Sequence, residues 1–228
     1  PEVLDDGDDE EDVTGGTYYV YVGHYGYPDI RAVAEFTIIA GEMTIDPEEG
    51  PVATEVEITG SDFSSDEDIT IEYDGVDVDI ADGDDETDSD GEFASFILIP
   101  ESTAGDHTIT VTVASNEVEA EFTVESEIIV SPTSGEADTT LTVSGTGFGR
   151  REDVVVYFNS AGMATVTTDS QGSFDATFSV PEFEEGIYDI EAEDEDGNLD
   201  TAKFTVTVPS SPTPTPAPSP TPARLNQP

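Results

Sequence analysis

The chain contains no cysteine. Without thiols there is no disulfide, no thiolate metal site and no cysteine nucleophile, so stability must come from cores, ions or assembly. Basic residues are almost as scarce. Arg31, Arg150, Arg151, Lys203 and Arg224 stand against 54 Asp and Glu, for a net charge of −49. Such a surface repels nucleic acid and anionic membranes, which makes both poor candidates for partners. It also repels itself unless counterions screen it, and the Debye length falls to ~3 Å at 1 M salt. Two readings follow: adaptation to a saline habitat, or a surface that collects divalent cations. No apolar run approaches the ~18 residues of a membrane helix. No segment shows a helical period, and the first residues lack a basic-then-apolar signal. The chain therefore reads as a processed product or an excerpt. The two histidines, His24 and His107, have no Ser or Cys nucleophile motif beside them, and carboxylate pairs are too common to single one out. No enzyme is expected.

What is present is a repeat. Met43-Thr44-Ile45-Asp46-Pro47-Glu48-Glu49-Gly50 is answered 85 positions later by Ile128-Ile129-Val130-Ser131-Pro132-Thr133-Ser134-Gly135. Gly60-Ser61-Asp62-Phe63 is likewise answered by Gly145-Thr146-Gly147-Phe148. In the second halves the offset is 81: Gly91-Glu92-Phe93 matches Gly172-Ser173-Phe174, and Ile99-Pro100 matches Val180-Pro181. Phe122-Thr123-Val124 and Phe204-Thr205-Val206 close the two copies. Self-similarity at a fixed period defines the architectural unit. Within it, segments such as Thr54-Glu55-Val56-Glu57-Ile58 and Ile69-Thr70-Ile71-Glu72-Tyr73 alternate with period two, as half-buried antiparallel strands do. Seven or so short strands with turns every 8–12 residues indicate a β-sandwich. Phe63 and Phe148 are expected in the core, each dropped there as Gly-Ser/Thr-x-Phe (60–63 and 145–148) turns the chain. Pro100 and Pro181 suit strand ends, where a missing N–H costs nothing.

Residues 16–40 match the end of this unit, since Gly16-Thr17-Tyr18 resembles Gly186-Ile187-Tyr188 and Phe36-Thr37-Ile38 resembles Phe122-Thr123-Val124. They read as the terminal hairpin of a partial repeat. The expected organisation is an acidic lead (1–15), this hairpin (16–40), repeat A (41–125), repeat B (126–208) and a Pro/Ser/Thr-rich tail (209–228). An isolated hairpin is marginal in water and its apolar faces need covering. Either the chain is cut from a longer one, or strands from another subunit complete the unit by β-augmentation.

The pattern Pro-x-x-Gly, a Thr-led strand, Gly-x-x-Phe, Gly-x-Phe and a closing Phe-Thr-Val resembles the IPT/TIG-like group of immunoglobulin-like (E-set) domains. The resemblance covers residues 41–208 and, by fragment, 16–39. It implies an all-β chain of tandem Ig-like antiparallel sandwiches, of the kind found on prokaryotic surface proteins as spacers, adhesin stalks, layers or filament subunits. It brings no catalytic residues. Some relatives bind DNA, which this acidity argues against.

Three stretches could carry chemistry. Carboxylates at alternate positions, Asp82, Asp84, Glu86, Asp88 and Asp90, supply the hard oxygen ligands that Ca²⁺ takes, although no Glu stands where an EF-hand's bidentate ligand would fall. Asp194, Asp196, Asn198 and Asp200 follow an Asp-x-Asp-Gly-Asn-x-Asp pattern that suits a Ca²⁺ loop and, equally, a hairpin turn at Asp-Gly. A solvated acidic loop is the competing reading for both, and no cofactor is required. Five of the eight tyrosines, Tyr18, Tyr19, Tyr21, Tyr25 and Tyr27, cluster in the partial repeat. Tyrosine on both strand faces implies that both are at least partly covered, by a core, a neighbouring subunit or a glycan. The tail is a polyproline-II spacer in which Thr213, Thr215, Ser219 and Thr221 are O-glycosylation candidates. The expected function is that of a non-enzymatic extracellular structural protein, a subunit of a surface filament, layer or stalk. It would self-associate or bind other surface proteins. The alternatives are an adhesin for glycan or protein and a calcium-stiffened spacer.

Overall fold

The computed structural model describes residues 16–23, 30–38 and 41–208, and every regular element in them is a strand. The acidic lead, His24, Tyr25, Tyr27 and the tail with Thr213, Thr215, Ser219 and Thr221 lie outside the described residues. Strand β1 (Gly16–Gly23) pairs antiparallel with β2 (Ile30–Ile38) as a sheet of two.

Repeat A comprises β3 (Glu42–Asp46), β4 (Glu49–Gly50), β5 (Glu55–Ser61), β6 (Ile69–Tyr73), β7 (Val76–Asp77), β8 (Asp82–Gly83), β9 (Phe93–Leu98), β10 (Gly105–Val113) and β11 (Asn116–Val124). They form one sheet of order β3-β5-β9-β8 and a second of order β4-β11-β10-β6-β7. Between them lie Val56, Ile58, Ile71, Ile97, Ile109, Val111 and Phe122, all at most 2% exposed. Repeat B comprises β12 (Glu127–Ser131), β13 (Ser134–Gly135), β14 (Thr140–Thr146), β15 (Asp153–Phe158), β16 (Ala161–Thr167), β17 (Phe174–Ser179), β18 (Gly186–Glu193) and β19 (Leu199–Val206). Its sheets run β12-β14-β17 and β13-β19-β18-β15-β16 around a separate core that includes Leu141, Phe148, Val156, Phe158, Ile190 and Phe204. Each core forms because alternate residues of a strand point to one face, which removes about 25 cal/mol per Å² of apolar surface from water.

The recurring motifs have identifiable work. The Pro-x-x-Gly segments carry the first strand from one sheet to the other. β3 pairs antiparallel with β5, and after Pro47 β4 runs parallel to β11; β12, Pro132 and β13 repeat the move against β14 and β19. Within these segments Gly60 and Gly145 are not the residues at the turn. They sit inside β5 and β14, where a Cβ would run into the rings of Phe93 and Phe174, their cross-strand partners. The turn comes two residues later, at Asp62 (φ 61°) and Gly147 (φ 68°), and it buries Phe63 and Phe148 as expected. Phe63 N then donates to Gly91 O at 3.2 Å and Phe148 N to Gly172 O at 3.1 Å.

The two repeats differ after their fourth strand. In repeat B, β16 stays paired with β15 along its length. In repeat A the corresponding segment pairs briefly with β6 and then crosses to the opposite sheet, where β8 joins β9. Val78 and Ile80 pack on the core during the crossing, and Gly83 (φ +94°) lies where a Cβ would strike the Ala94 carbonyl. The expected seven strands become nine and eight elements, because Pro breaks the first strand and because β16 opens on exposed Ala161-Gly162 and bulges at Met163, which blurs its alternation.

At Gly172 (φ +79°) a Cβ would collide with the Phe148 carbonyl, whereas at Gly197 (φ +89°) it would meet nothing within 4 Å. Gly197→Ala should therefore cost only the left-handed backbone penalty of ~1–2 kcal/mol, and Gly172→Ala roughly 2–4 kcal/mol. Urea unfolding in high salt measures the difference, and equal losses would remove Gly172 from the core lock.

Candidate functional site

The acidic loop of repeat A does not gather its carboxylates around one point. Asp82 Oδ1 accepts from Gly83 N at 2.9 Å, and Asp84 Oδ2 accepts from Ala94 N at 2.9 Å. Asp88 Oδ1 accepts from Asp90 N and Glu92 N at 2.8 and 2.9 Å, which closes the turn that leads into β9. Only Asp84 and Asp88 share a cleft, of about 470 Å³, with Glu42 and Glu92; Asp82, Glu86 and Asp90 stand outside it. Repeat B makes the same turn without an acidic run. Asp169 Oδ1 accepts from Gln171 N and Ser173 N at 2.8 and 3.0 Å. These backbone hydrogen bonds hold the carboxyls of Asp88 and Asp169 below the ordinary range. Thr87 and Thr168 pin the turn from the other side, bonding Ser64 O at 2.7 Å and Gly149 O at 2.6 Å. The shared unit is therefore Thr-Asp-x-x-Gly-x-Phe, four residues longer than its Gly-x-Phe end, and a turn explains Asp88 without an ion.

In the second acidic loop, Asp194 is buried, 6% exposed, and fully engaged. Its Oδ1 accepts from Asp196 N and Asn198 N at 3.1 and 2.9 Å, and its Oδ2 from Gly149 N and Asn198 Nδ2 at 2.8 and 2.7 Å. Asp200 Oδ2 accepts from Ile128 N at 2.7 Å and so ties β19 to β12. Residues whose order suits a calcium loop here close the β18–β19 hairpin and bind it to its neighbours. Among the described residues no three Asp, Glu or His side chains converge to hold a metal ion. A further carboxylate, Glu152, stands beside this second loop. Glu152 Oε2 is buried without a hydrogen-bond partner among the described residues, and burial, then Asp196 and Asp194, push its carboxyl above the ordinary range.

The tyrosine hairpin is open. Tyr19 and Tyr21, with ring centroids 6.4 Å apart, are 51% and 48% exposed; Val20 and Val22 on the other face are 49% and 56% exposed. At those positions each face is about half covered within this chain. Tyr18 pairs with Phe36 in the β1–β2 register.

One cluster gave little sign in the sequence. His107, placed by β10, bonds Asp74 Oδ2 through Nδ1 at 2.7 Å and Thr103 O through Nε2 at 2.8 Å, and stacks on Tyr73 with centroids 5.1 Å apart. Burial of Asp74 would raise its carboxyl, but the bonds from His107 and Thr108 N outweigh this and hold it low. Burial, opposed by the Ser102 hydroxyl, pushes Tyr73 up to about 12. A histidine on an alternating strand carries no hint of such partners, which come from a turn and a loop. Its role is packing.

Because the Glu152 pKa is raised in the folded state, its ionised form opposes folding above the ordinary carboxylate range, and stability returns as the pH falls through the raised value. Glu152→Gln should raise the melting temperature at neutral pH, with the gain vanishing in acid. A variant that melts lower, and only when Ca²⁺ is present, would make Glu152 a cation ligand instead.

No helix among the described residues is long and apolar enough to cross a membrane. No curated protein matches the chain. Among solved structures, the Yersinia pseudotuberculosis adhesin InvE aligns with a TM-score of 0.35 and 11% identity, over 74% of this chain and 59% of that one. The D0-D1 domain of intimin aligns at 0.31 and 14%, over 73% of this chain and all of that one. The SGBP-B protein of the Bacteroides ovatus mixed-linkage glucan utilization locus, solved with a mixed-linkage heptasaccharide, aligns at 0.34 and 15%, over 86% and 54%. The IPT/TIG domain model matches residues 43–125 and again 129–208, each match spanning one of the two sandwiches. The chain belongs to the IPT/TIG domain family.

Proposed function

We propose that this chain is a non-enzymatic structural segment of a prokaryotic cell-surface assembly, in which tandem IPT/TIG domains form a filament, layer or stalk. The observation that carries the reading is hairpin β1–β2. Its register, Gly16 opposite Ile38 and Tyr18 opposite Phe36, repeats that of Gly105 with Val124 and His107 with Phe122, and that of Gly186 with Val206 and Tyr188 with Phe204. Val20 and Val22 thereby stand at the positions of Ile109 and Val111 in repeat A and of Ile190 and Ala192 in repeat B, which are fully buried. The hairpin is the closing pair of a third sandwich, and its apolar face is covered when strands of a neighbouring polypeptide complete it. Such a head-to-tail contact propagates if it does not close. The chain divides at residues 40, 125 and 208, with the acidic lead and the Pro/Thr tail outside the sandwiches. Thr213, Thr215, Ser219 and Thr221 are the sites at which the tail would carry O-glycans, and the net charge suits screening by concentrated salt.

A second reading is favoured by one observation, the exposed pair Tyr19 and Tyr21, which suits stacking against a glycan ring. Calcium stiffening rests on the acidic loops alone. The double variant Val20→Asp/Val22→Asp should abolish ordered assemblies seen by electron microscopy in high salt, while repeats A and B melt as before. Assemblies that survive it contradict the structural reading. Surviving assemblies with glycan binding lost in Tyr19→Ala/Tyr21→Ala would establish the second.

A further inference from the structure

An edge strand presents a row of unpaired N–H and C=O groups, and folds blunt it by shortness, proline or a bulge. Among the described residues, the edges of the two sandwiches follow this rule in every case but one. β4, β7, β8 and β13 are two residues long, β3 and β12 stop at the proline that follows them, and β16 is bulged against β15. β17 has none of these devices. Its residues, Phe174-Asp175-Ala176-Thr177-Phe178-Ser179, pair with β14 in unbroken register on one side and with no strand on the other.

Repeat A shows what that free side can bind. β9 stands 81 positions before β17, so Ala94 and Phe96 are the counterparts of Asp175 and Thr177. Ala81 N donates to Phe96 O at 2.7 Å, Asp84 N to Ala94 O at 2.9 Å and Ala94 N to Asp84 Oδ2 at 2.9 Å, so the segment around β8 covers the edge. The counterparts of Gly83 and Asp84 in repeat B, Ala164 and Thr165, pair instead with β15 of the opposite sheet. The backbone groups of Asp175 and Thr177 therefore point to an edge that repeat B leaves open.

The surface beside this edge lacks the charge found elsewhere. β14 turns only Thr and Ser outward, where β5 turns out Glu55 and Glu57. β17 turns out Asp175, Thr177 and Ser179, and Ser144 Oγ donates to Asp175 Oδ1 at 2.6 Å. The strand also fits itself. In an antiparallel pairing centred on Thr177, that residue faces its own copy and Asp175 faces Ser179, so each hydroxyl meets a hydroxyl or a carboxylate. The two Asp175 carboxylates then stand about 14 Å apart along the strands, beyond the ~10 Å screening length at 0.1 M salt.

We propose that β17 is an assembly joint at which two copies of this chain pair edge to edge about a two-fold axis, joining their sheets in the order β12-β14-β17-β17-β14-β12. The contact lies wholly in repeat B and goes beyond the β1–β2 hairpin, whose completion by a neighbour it neither needs nor implies. The net charge of the two copies makes the pairing stronger in salt.

The absence of native cysteine allows a clean test in the full chain. Hydrogen-bonded antiparallel partners lie about 5.5 Å apart at Cα, within reach of a disulfide. At high salt, Thr177→Cys should oxidise to a linked dimer of doubled mass. Asp175→Cys mixed with Ser179→Cys should link likewise, whereas Ser179→Cys alone should not. Thr142→Cys, beside Thr177 but one strand in from the edge, should stay monomeric, because its two copies would be ~14 Å apart. The same pattern should hold in the Val20→Asp/Val22→Asp background. Thr177→Cys chains that stay unlinked while repeat B melts as before overturn the proposal. Linking of Thr142→Cys as fast as of Thr177→Cys does so too, since it marks unspecific collision. Linking that vanishes in the hairpin background would overturn the separateness of this joint.

Discussion

In each complete repeat a phenylalanine ring lies against a strand glycine, Phe93 on Gly60 and Phe174 on Gly145, and much of the domain is arranged to make that contact. A side chain on the glycine would push the ring out and open the sandwich at one end. The ring reaches the glycine because the strand that bears it is launched by a fixed turn. Thr87 or Thr168 and Asp88 or Asp169 bind that turn's backbone, and Gly91 or Gly172 passes under the carbonyl of Phe63 or Phe148. The second phenylalanine is thereby held against the first, at 5.7 Å between centroids in repeat A and 5.2 Å in repeat B. Edge-on and tilted aromatic pairs at such distances add to what burial alone contributes. The clefts at the heads of the repeats are the outer surface of this same lock.

The charge constrains everything outside the cores. With 54 carboxylates and five Lys and Arg, ion pairing contributes little to the fold. Among the described residues the salt bridges are Lys203 with Asp189 and His107 with Asp74. The carboxylates that do structural work accept backbone N–H groups instead, as Asp88, Asp169 and Asp194 do. That arrangement needs no counter-residue and survives in concentrated salt, because the bonded atoms are in contact and leave no room for ions to screen them.

Much of the fold could be read from the residues. Period-two alternation located the strands around Val56, Ile71 and Phe122, and the doubled motifs located the domains' recurring turns. What stayed hidden was mostly the purpose of a residue whose type suits two jobs. Gly60 is as good a turn former as it is a seat for a ring, and only the cross-strand register separates them. Asp194 in Asp-x-Asp-Gly-Asn can close a loop over a cation or over its own N–H groups, since both uses ask for carboxylate oxygens on a tight turn. β16 was hard to see because it opens on exposed Ala161-Gly162 and a bulge at Met163 breaks the period-two pattern, so that Met163, Ala164 and Val166 pack on the core while Thr165 and Thr167 face outward. The His107 cluster could not be foreseen, since Asp74, Thr103 and Tyr73 reach it from separate elements.

The β1–β2 hairpin is where sequence and structure together bear most on the proposed function. It keeps the register of two complete sandwiches yet leaves Val20 and Val22 half-exposed, at positions that are buried in both copies. Hydrogen exchange across β1 and β2 tests this most directly, read on dispersed chains and on native assembled material. The account predicts that the amides of Val20, Val22 and Phe36 exchange freely in dispersed chains. In assembled material they should become as protected as those of Ile109, Val111 and Phe122. Equal exchange in both states would contradict it, and the hairpin would then be a surface ornament of the chain and not its joint.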